Sequence, residues 1–241
     1  MAVGNLTGGV ILGASSGVGR ALAAQLADNG HQLTAISRRA PDLGQGVRSV
    51  SADIRDFTGL ENALLETAET QTIEYIVNCV GVGFYAPIGS DYLDAWTDIL
   101  ATNVAGILVL LSVIDRHFAD LKTFIHVSSM AAHRPSRTPG NLCYSVSKMA
   151  ARVIVEEYRK EIRSKGRTTR ISMISPGFID GTDFGRNFYA CAPDDQERYD
   201  LYGAHDNLSP ADVAAAIRNV MAMPAHVELL DTVMSPNGQP A

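Results

Sequence analysis

Short apolar runs alternate with helical segments almost to the end of the chain, and this alternation restricts the fold more than any other feature. Strand-like runs fall at Gly9–Leu12, His31–Ser37, Val47–Ser51, Glu74–Val80, Thr123–Val127, Arg170–Ile174 and Val227–Met234. Between them, Val18–Asp28, Thr58–Glu69, Asp91–Phe118, Tyr144–Ser164 and Pro210–Ala222 read as helices, several with apolar residues near helical spacing. Only the connection 38–46, broken by Pro41, Gly44 and Gly46, is too short for a crossover helix. A parallel return must cross the face of a sheet, and right-handed helical crossovers do this. The pattern predicts an α/β fold: a single domain over 1–241 built on a doubly wound parallel sheet of about seven strands. The stretch 178–208 is long for a loop in a compact domain and reads as a lid.

Composition narrows the partners. The 241 residues are 46% hydrophobic and 19% charged, as in an ordinary globular chain. A formal net charge of −6 and the lack of a basic stripe argue against a nucleic acid or an anionic membrane as partner. The longest apolar stretch, near Ala105–Val113, is short of a membrane span. Cys79, Cys143 and Cys191 are odd in number and widely spaced. They suggest neither a disulfide framework nor a metal site, and so a reducing, cytoplasmic home. The first residues lack the charged lead-in of a secretory signal.

The first strand runs into Gly13-Ala-Ser15-Ser16-Gly17-Val18-Gly19, which opens the first helix. Gly13 permits a sharp turn, Gly17 lets a ligand approach the backbone, and Gly19 lets the helix pack close to the sheet. A helix N-terminus there presents N–H groups and partial positive charge to a pyrophosphate. The bland alternative is a turn selected for tight packing alone. Position after a strand and before a helix favours the nucleotide.

This turn resembles the TGxxxGxG opening of the short-chain dehydrogenases/reductases, with Leu12 in place of the threonine. The resemblance runs from about Thr7 to Pro236 through five ordered motifs. It implies a Rossmann fold, a nicotinamide cofactor, a small carbonyl or alcohol substrate, and homodimers or homotetramers formed through the two long helices. It implies that Asp53-Ile54 lies beside the adenine. Asn78-Cys-Val-Gly81 stands where relatives have NNAG, keeping its first and last residues, and Asn78 is expected to brace the sheet.

The end of the second strand, Ser37-Arg38-Arg39, selects between the two nicotinamide nucleotides. A carboxylate there would bind a ribose 2′-hydroxyl and repel a 2′-phosphate. A hydroxyl followed by guanidinium groups suits the phosphate, so NADP(H) is expected, with Arg20 able to assist. The alternative is a pair of solvated turn arginines.

Tyr144 and Lys148, four residues apart, share one helical face. Carbonyl reduction needs a proton donor at oxygen, and a phenol of pKa about 10 is a weak one at neutral pH. A neighbouring ammonium would favour the phenolate, and Lys148 can also reach the nicotinamide ribose. The family resemblance assigns Ser129, at the end of the fifth strand, to the substrate oxygen. It assigns Asn103 to a kink in the long helix that holds a water beside the lysine. After the sixth strand it places Pro176, Gly177 and Ile179 near the nicotinamide. Thr182 falls one residue later than the family's carboxamide-binding threonine, as if Gly181 were inserted.

The substrate is read as a small polar ketone or aldehyde. The C-terminal run from Pro224 resembles an NADP-preferring bacterial branch acting on serine-like 3-hydroxy acids. Two rivals stay open. A non-catalytic NADP-sensing regulator would need no Tyr144, Lys148 or Ser129. An epimerase or dehydratase shares the Tyr–Lys pair but usually carries a longer C-terminal domain.

Overall fold

A computed structural model of the protein describes residues 6–44, 46–135, 140–182, 184, 188 and 206–239. Seven strands form one parallel sheet in the order β3-β2-β1-β4-β5-β6-β7. They are β1 (Gly8–Leu12), β2 (Gln32–Ser37), β3 (Val47–Ser51), β4 (Tyr75–Asn78), β5 (Thr123–Val127), β6 (Arg170–Pro176) and β7 (Asp231–Met234). The order reverses between β1 and β4, and such a switch point opens a crevice at the carboxyl ends of the strands.

Helices cover both faces. On one side, α1 (Gly17–Ala27) and α6 (Pro210–Met221) bury Leu22, Leu26, Val213 and Ile217 against Ile11, Ala35 and Val77. On the other lie α2 (Phe57–Thr70), α3 (Leu93–Leu100), α4 (Gly106–His117) and α5 (Leu142–Ser164). Leu60, Leu110, Ile114 and Val155 pack there on Val10, Ile76 and Phe124. The two buried clusters sandwich the sheet, which is why its central strands are apolar on both faces.

Three differences from the expected elements have local causes. The strand expected over 74–80 stops at Asn78, whose Oδ1 accepts the N–H of Val80 at 3.0 Å and turns the chain. The strand expected from Val227 begins only at Asp231. Upstream, the Glu228 carboxylate accepts the N–H of Ile171 at 2.6 Å, taking a β6 donor that a longer β7 could have used. The single helix expected over 91–118 is a short 3₁₀ turn (Ser90–Tyr92), α3, a π turn (Ala101–Ala105) and α4. Thr102 and Asn103 are the buried residues of that π turn. The stretch Leu93–His117 is also long and apolar enough to pass for a membrane span by length and composition, although the apolar run near Ala105–Val113 was read as too short for one. Half of its most apolar window is buried inside this fold, as in a core helix.

Candidate active site

A cavity of about 580 Å³ runs along the carboxyl edge of the sheet. Its floor is the glycine-rich turn. Gly13 has φ +80°, a conformation that side chains resist, and donates its N–H to the Ile36 carbonyl at 2.8 Å. A Cβ on Gly19 would lie 2.4 Å from the Gly13 carbonyl oxygen, so the start of α1 can rest on the turn only as glycine. Ser16 caps α1 without any side-chain hydrogen bond, and the first turn holds no acidic residue. Backbone N–H groups at such an end are left for a ligand. By contrast, Asp56 caps α2 by accepting from Gly59 N–H at 3.1 Å.

The cavity gathers nearly all the residues singled out from the sequence. Gly13, Ser15, Ser16, Gly17, Val18 and Gly19 line it beside Ser37, Arg38, Arg39, Asp53 and Ile54. Gly81, Ser129, Tyr144, Lys148, Pro176, Gly177, Ile179 and Thr182 line the other end. Thr182 Cγ2 lies 3.4 Å from the place of a Cβ on Gly17, so the late threonine does reach the turn. Asn78 and Asn103 stand behind the lining. Asn78 bridges Val80 N–H and, at 3.2 Å, Nδ1 of the buried His126, a bracing contact. Asn103 accepts from Val82 N–H at 2.9 Å, and donates to the Val82 carbonyl at 2.8 Å and Ser147 Oγ at 3.0 Å. Arg20 is exposed and outside the cavity lining.

One expectation changes its meaning. Ser37 was read as half of a phosphate site, but its hydroxyl donates to the Ile36 carbonyl at 2.8 Å and accepts from Ser15 N–H at 3.2 Å. It ties the glycine turn to the end of β2. Arg38 and Arg39 follow it and line the cavity at this corner.

Tyr144 and Lys148 come from the first turns of α5, and Ser129 from the loop after β5. The Ser129 hydroxyl hydrogen-bonds Tyr144 and accepts Ala131 N–H at 3.1 Å. Lys148 is buried, with Nζ 5.9 Å from the Tyr144 ring centroid and 3.3 Å from the Val127 carbonyl oxygen. A Cβ on Gly81 would stand 3.1 Å from that Nζ, so glycine leaves the ammonium its place. The sequence argument expected the ammonium to favour the phenolate and so lower the pKa of the phenol. In the structure burial dominates both groups. It pushes Tyr144 up to about 12 against the Ser129 hydrogen bond, and Lys148 down to about 8. Each group is thus held in its uncharged form more readily than in water.

Several lining residues were not singled out from the sequence. Arg55 grips Asp53 at 2.7 Å and Asp98 of α3 at 2.8 Å, joining the expected adenine corner to the helix layer. Gln239, near the C-terminus, folds back so that its Oε1 accepts Phe178 N–H at 2.9 Å. Phe184 and Phe188 cover the Tyr144 ring. Arg55 follows the Asp53-Ile54 pair directly and was within reach of motif reading; the other three depend on long-range folding. Most of the 178–208 stretch, including Asp194, Asp195, Glu197 and Asp200, lies outside the described residues, as does Cys191. Its base is closed by a bridge between Ile179 and Leu208, with Asp180 N–H donating to the Leu208 carbonyl at 2.8 Å.

This is the plan of a doubly wound dinucleotide oxidoreductase. A family model described as short chain dehydrogenase matches residues 9–191, and the chain belongs to that family. The NADP-dependent 3-hydroxy acid dehydrogenase YdfG of Salmonella typhi is 25% identical over 241 residues, covering 94% of each chain. The closed form of a serine dehydrogenase complexed with NADP+ has a TM-score of 0.85 at 24% identity, covering 96% of both chains. A 3-ketoacyl-(acyl-carrier-protein) reductase from Brucella melitensis complexed with NADH has a TM-score of 0.80 at 19% identity, covering 99% of this chain and 100% of its own. These last two likenesses are of fold.

Proposed function

We propose that the protein is an NADP(H)-dependent oxidoreductase that interconverts a small polar ketone or aldehyde and its alcohol. The observation that carries this is convergence: the uncapped start of α1 and the Ser129–Tyr144–Lys148 cluster open into one cavity. The fit to a dinucleotide rests on this chain's own features. Gly13, Gly17 and Gly19 leave a cradle that side chains would fill or strain, and the N-cap residue Ser16 makes no side-chain hydrogen bond to the helix above it. Ser15, Ser16 and Val18 complete that cradle, Asp53 and Ile54 would flank the adenine, and Arg38 with Arg39 would take a 2′-phosphate. Gly81, Pro176, Gly177, Ile179 and Thr182 would border the nicotinamide, which supplies or accepts the hydride.

The protein's own part is proton control and orientation. The Ser129 hydroxyl would hold the substrate oxygen against the Tyr144 hydroxyl. Tyr144, kept protonated by burial, gives its proton to that oxygen in reduction and recovers it through the Lys148 side. Lys148 has one hydrogen bond among the described residues, so ribose hydroxyls would satisfy the remaining ammonium donors and favour its charged form. Asn103 holds the π turn to the Val82 backbone behind the lysine, and Asn78 braces β4. The names of the relatives, a 3-hydroxy acid dehydrogenase and a serine dehydrogenase, support a short hydroxy acid or its keto form as the substrate class.

The test is nicotinamide absorbance during incubation with a panel of small keto acids, aldehydes and hydroxy acids, using NADPH and NADH in parallel. Consumption of NADPH with short polar carbonyls is expected. Turnover confined to steroids or acyl-carrier substrates would remove the substrate reading, and preference for NADH would remove the phosphate reading. We further place the protein in the cytoplasm as a homo-oligomer. Leu100, Leu108, Val146 and Val153 are 42–56% exposed on the layer formed by α3, α4 and α5, an apolar surface suited to a second copy. A monomer mass in sedimentation would contradict it.

A further inference from the structure

Gly83 is not a glycine for conformational reasons, because it is absent from the residues with positive φ. It is a glycine for room. A Cβ there would lie 2.6 Å from Cε2 and Cζ of Phe184 and 3.0 Å from Cδ2 of Tyr144. Phe184 comes from the segment after β6, and its ring centroid stands 5.2 Å from that of Tyr144. Phe188, 4% exposed, stacks on Phe184 at 5.9 Å with a 20° tilt and meets Tyr144 at 6.2 Å. All three rings line the cavity, and the two phenylalanines form an apolar wall against one flank of the phenol. The lining that follows Ser129 is mixed, with Arg134 and Asn141 beside Met130, Ala131 and Pro135.

From this juxtaposition we infer that Phe184, seated in the notch left by Gly83, is the specificity-determining residue of the site and restricts it to short carbonyl compounds. The inference rests on the proposed carbonyl reduction and names what limits its substrate. The ring fills the flank into which a large substituent on the carbonyl would project. Its seat depends on one absent methyl group, so the wall is set by a pair of residues about a hundred positions apart in the chain.

A steric cycle tests it. Wild type, Phe184→Ala, Gly83→Ala and the double variant are compared for NADPH consumption on a ladder from a two-carbon aldehyde to a phenyl ketone. Phe184→Ala should raise kcat/KM for the phenyl ketone relative to the shortest substrate by at least about tenfold, the scale of a pocket contact. Gly83→Ala should lower activity on the whole ladder, since its methyl drives the ring off its seat and against Tyr144. Removing the ring in the double variant should restore at least about tenfold of that loss. Thermal melts show that each variant is folded, and Phe184→Ala alone decides the size limit if Gly83→Ala is not. An unchanged size profile in Phe184→Ala, or a double variant no better than Gly83→Ala, would overturn the inference. No NADPH consumption by any of the four proteins, with any carbonyl, would instead remove the underlying function and this inference with it.

Discussion

At the amino edge of the sheet, Glu74 accepts from Thr7 N–H at 2.5 Å, Thr7 Oγ1 at 3.0 Å and Gly8 N–H at 3.3 Å, and pairs with Lys122. At the same edge, Arg170 donates to the carbonyls of Met221 at 3.2 Å and Met223 at 2.9 Å, closing the end of α6. At the carboxyl edge, Lys148 is buried as deeply but has one carbonyl at 3.3 Å among the described residues. There the N-cap residue of α1, Ser16, makes no side-chain cap hydrogen bond, and Ser128 Oγ makes no hydrogen bond among the described residues. Unmet buried polar groups cost stability, so a fold tolerates them where a ligand will meet them. The amino edge is built for holding the sheet together, and the carboxyl edge for binding.

Substitutions at the two edges should therefore separate stability from activity. The largest effect expected is at Lys148. Lys148→Met keeps the length but removes the charge, and should cut kcat/KM at least about a hundredfold, the scale of a proton-transfer contribution. Because a poorly partnered buried charge is replaced by an apolar chain, the melting temperature should hold or rise. A variant that loses stability and keeps its activity would break the contrast. Next, Arg38→Asp should weaken NADPH relative to NADH by roughly 10- to 100-fold, the worth of a charge-assisted hydrogen bond, measured as the ratio of kcat/KM values. An unchanged ratio would place 2′-phosphate recognition elsewhere.

At the amino edge the signs reverse. Glu74→Gln should cost about 1–3 kcal/mol in denaturant melts with kcat/KM unchanged, as expected for losing hydrogen bonds to a charged acceptor. Hydrogen bonds from Lys122 and Thr7 hold this carboxyl down at about 2, against an ordinary 4.5, despite the opposing effect of burial. A depressed folded pKa stabilises above the unfolded value and is lost as pH falls through the folded one. The stability gap between wild type and Glu74→Gln should thus be full above about pH 4.5 and close towards pH 2. A gap independent of pH would show that the carboxylate charge is not what holds this edge. The smallest effect concerns a helix start that is closed. At α6, Ser209 and Asp212 cap reciprocally, with Ser209 Oγ accepting Asp212 N–H at 3.2 Å. Ser209→Ala should cost about 0.5–2 kcal/mol and leave nucleotide binding intact.

The fold was legible because its signals are local and periodic. Val47–Ser51 and Thr123–Val127 were bounded correctly from the alternation of strands and helices, and Ser209-Pro210 marked the start of α6. The glycine turn and the Tyr144–Lys148 pair were legible because turn and helix geometry fix their spacing. What stayed hidden was set by distant partners. Nothing around Gly83 says that Phe184 will fill its notch, and nothing at Gln239 says that it will fold onto Phe178. The direction of the Tyr144 shift was misjudged for a related reason: an ammonium four residues away is visible in sequence, whereas the rings that dry the phenol are not.

The central claim is that the carboxyl edge binds a reduced dinucleotide and that Tyr144 then supplies the proton. Tyr144→Phe removes one hydroxyl and leaves the cradle and Lys148 in place. NADPH titration followed by nicotinamide fluorescence should give the same Kd as wild type, while turnover of a short polar carbonyl falls at least about a hundredfold. Equal turnover in the two proteins, with NADPH bound equally well, would contradict the account.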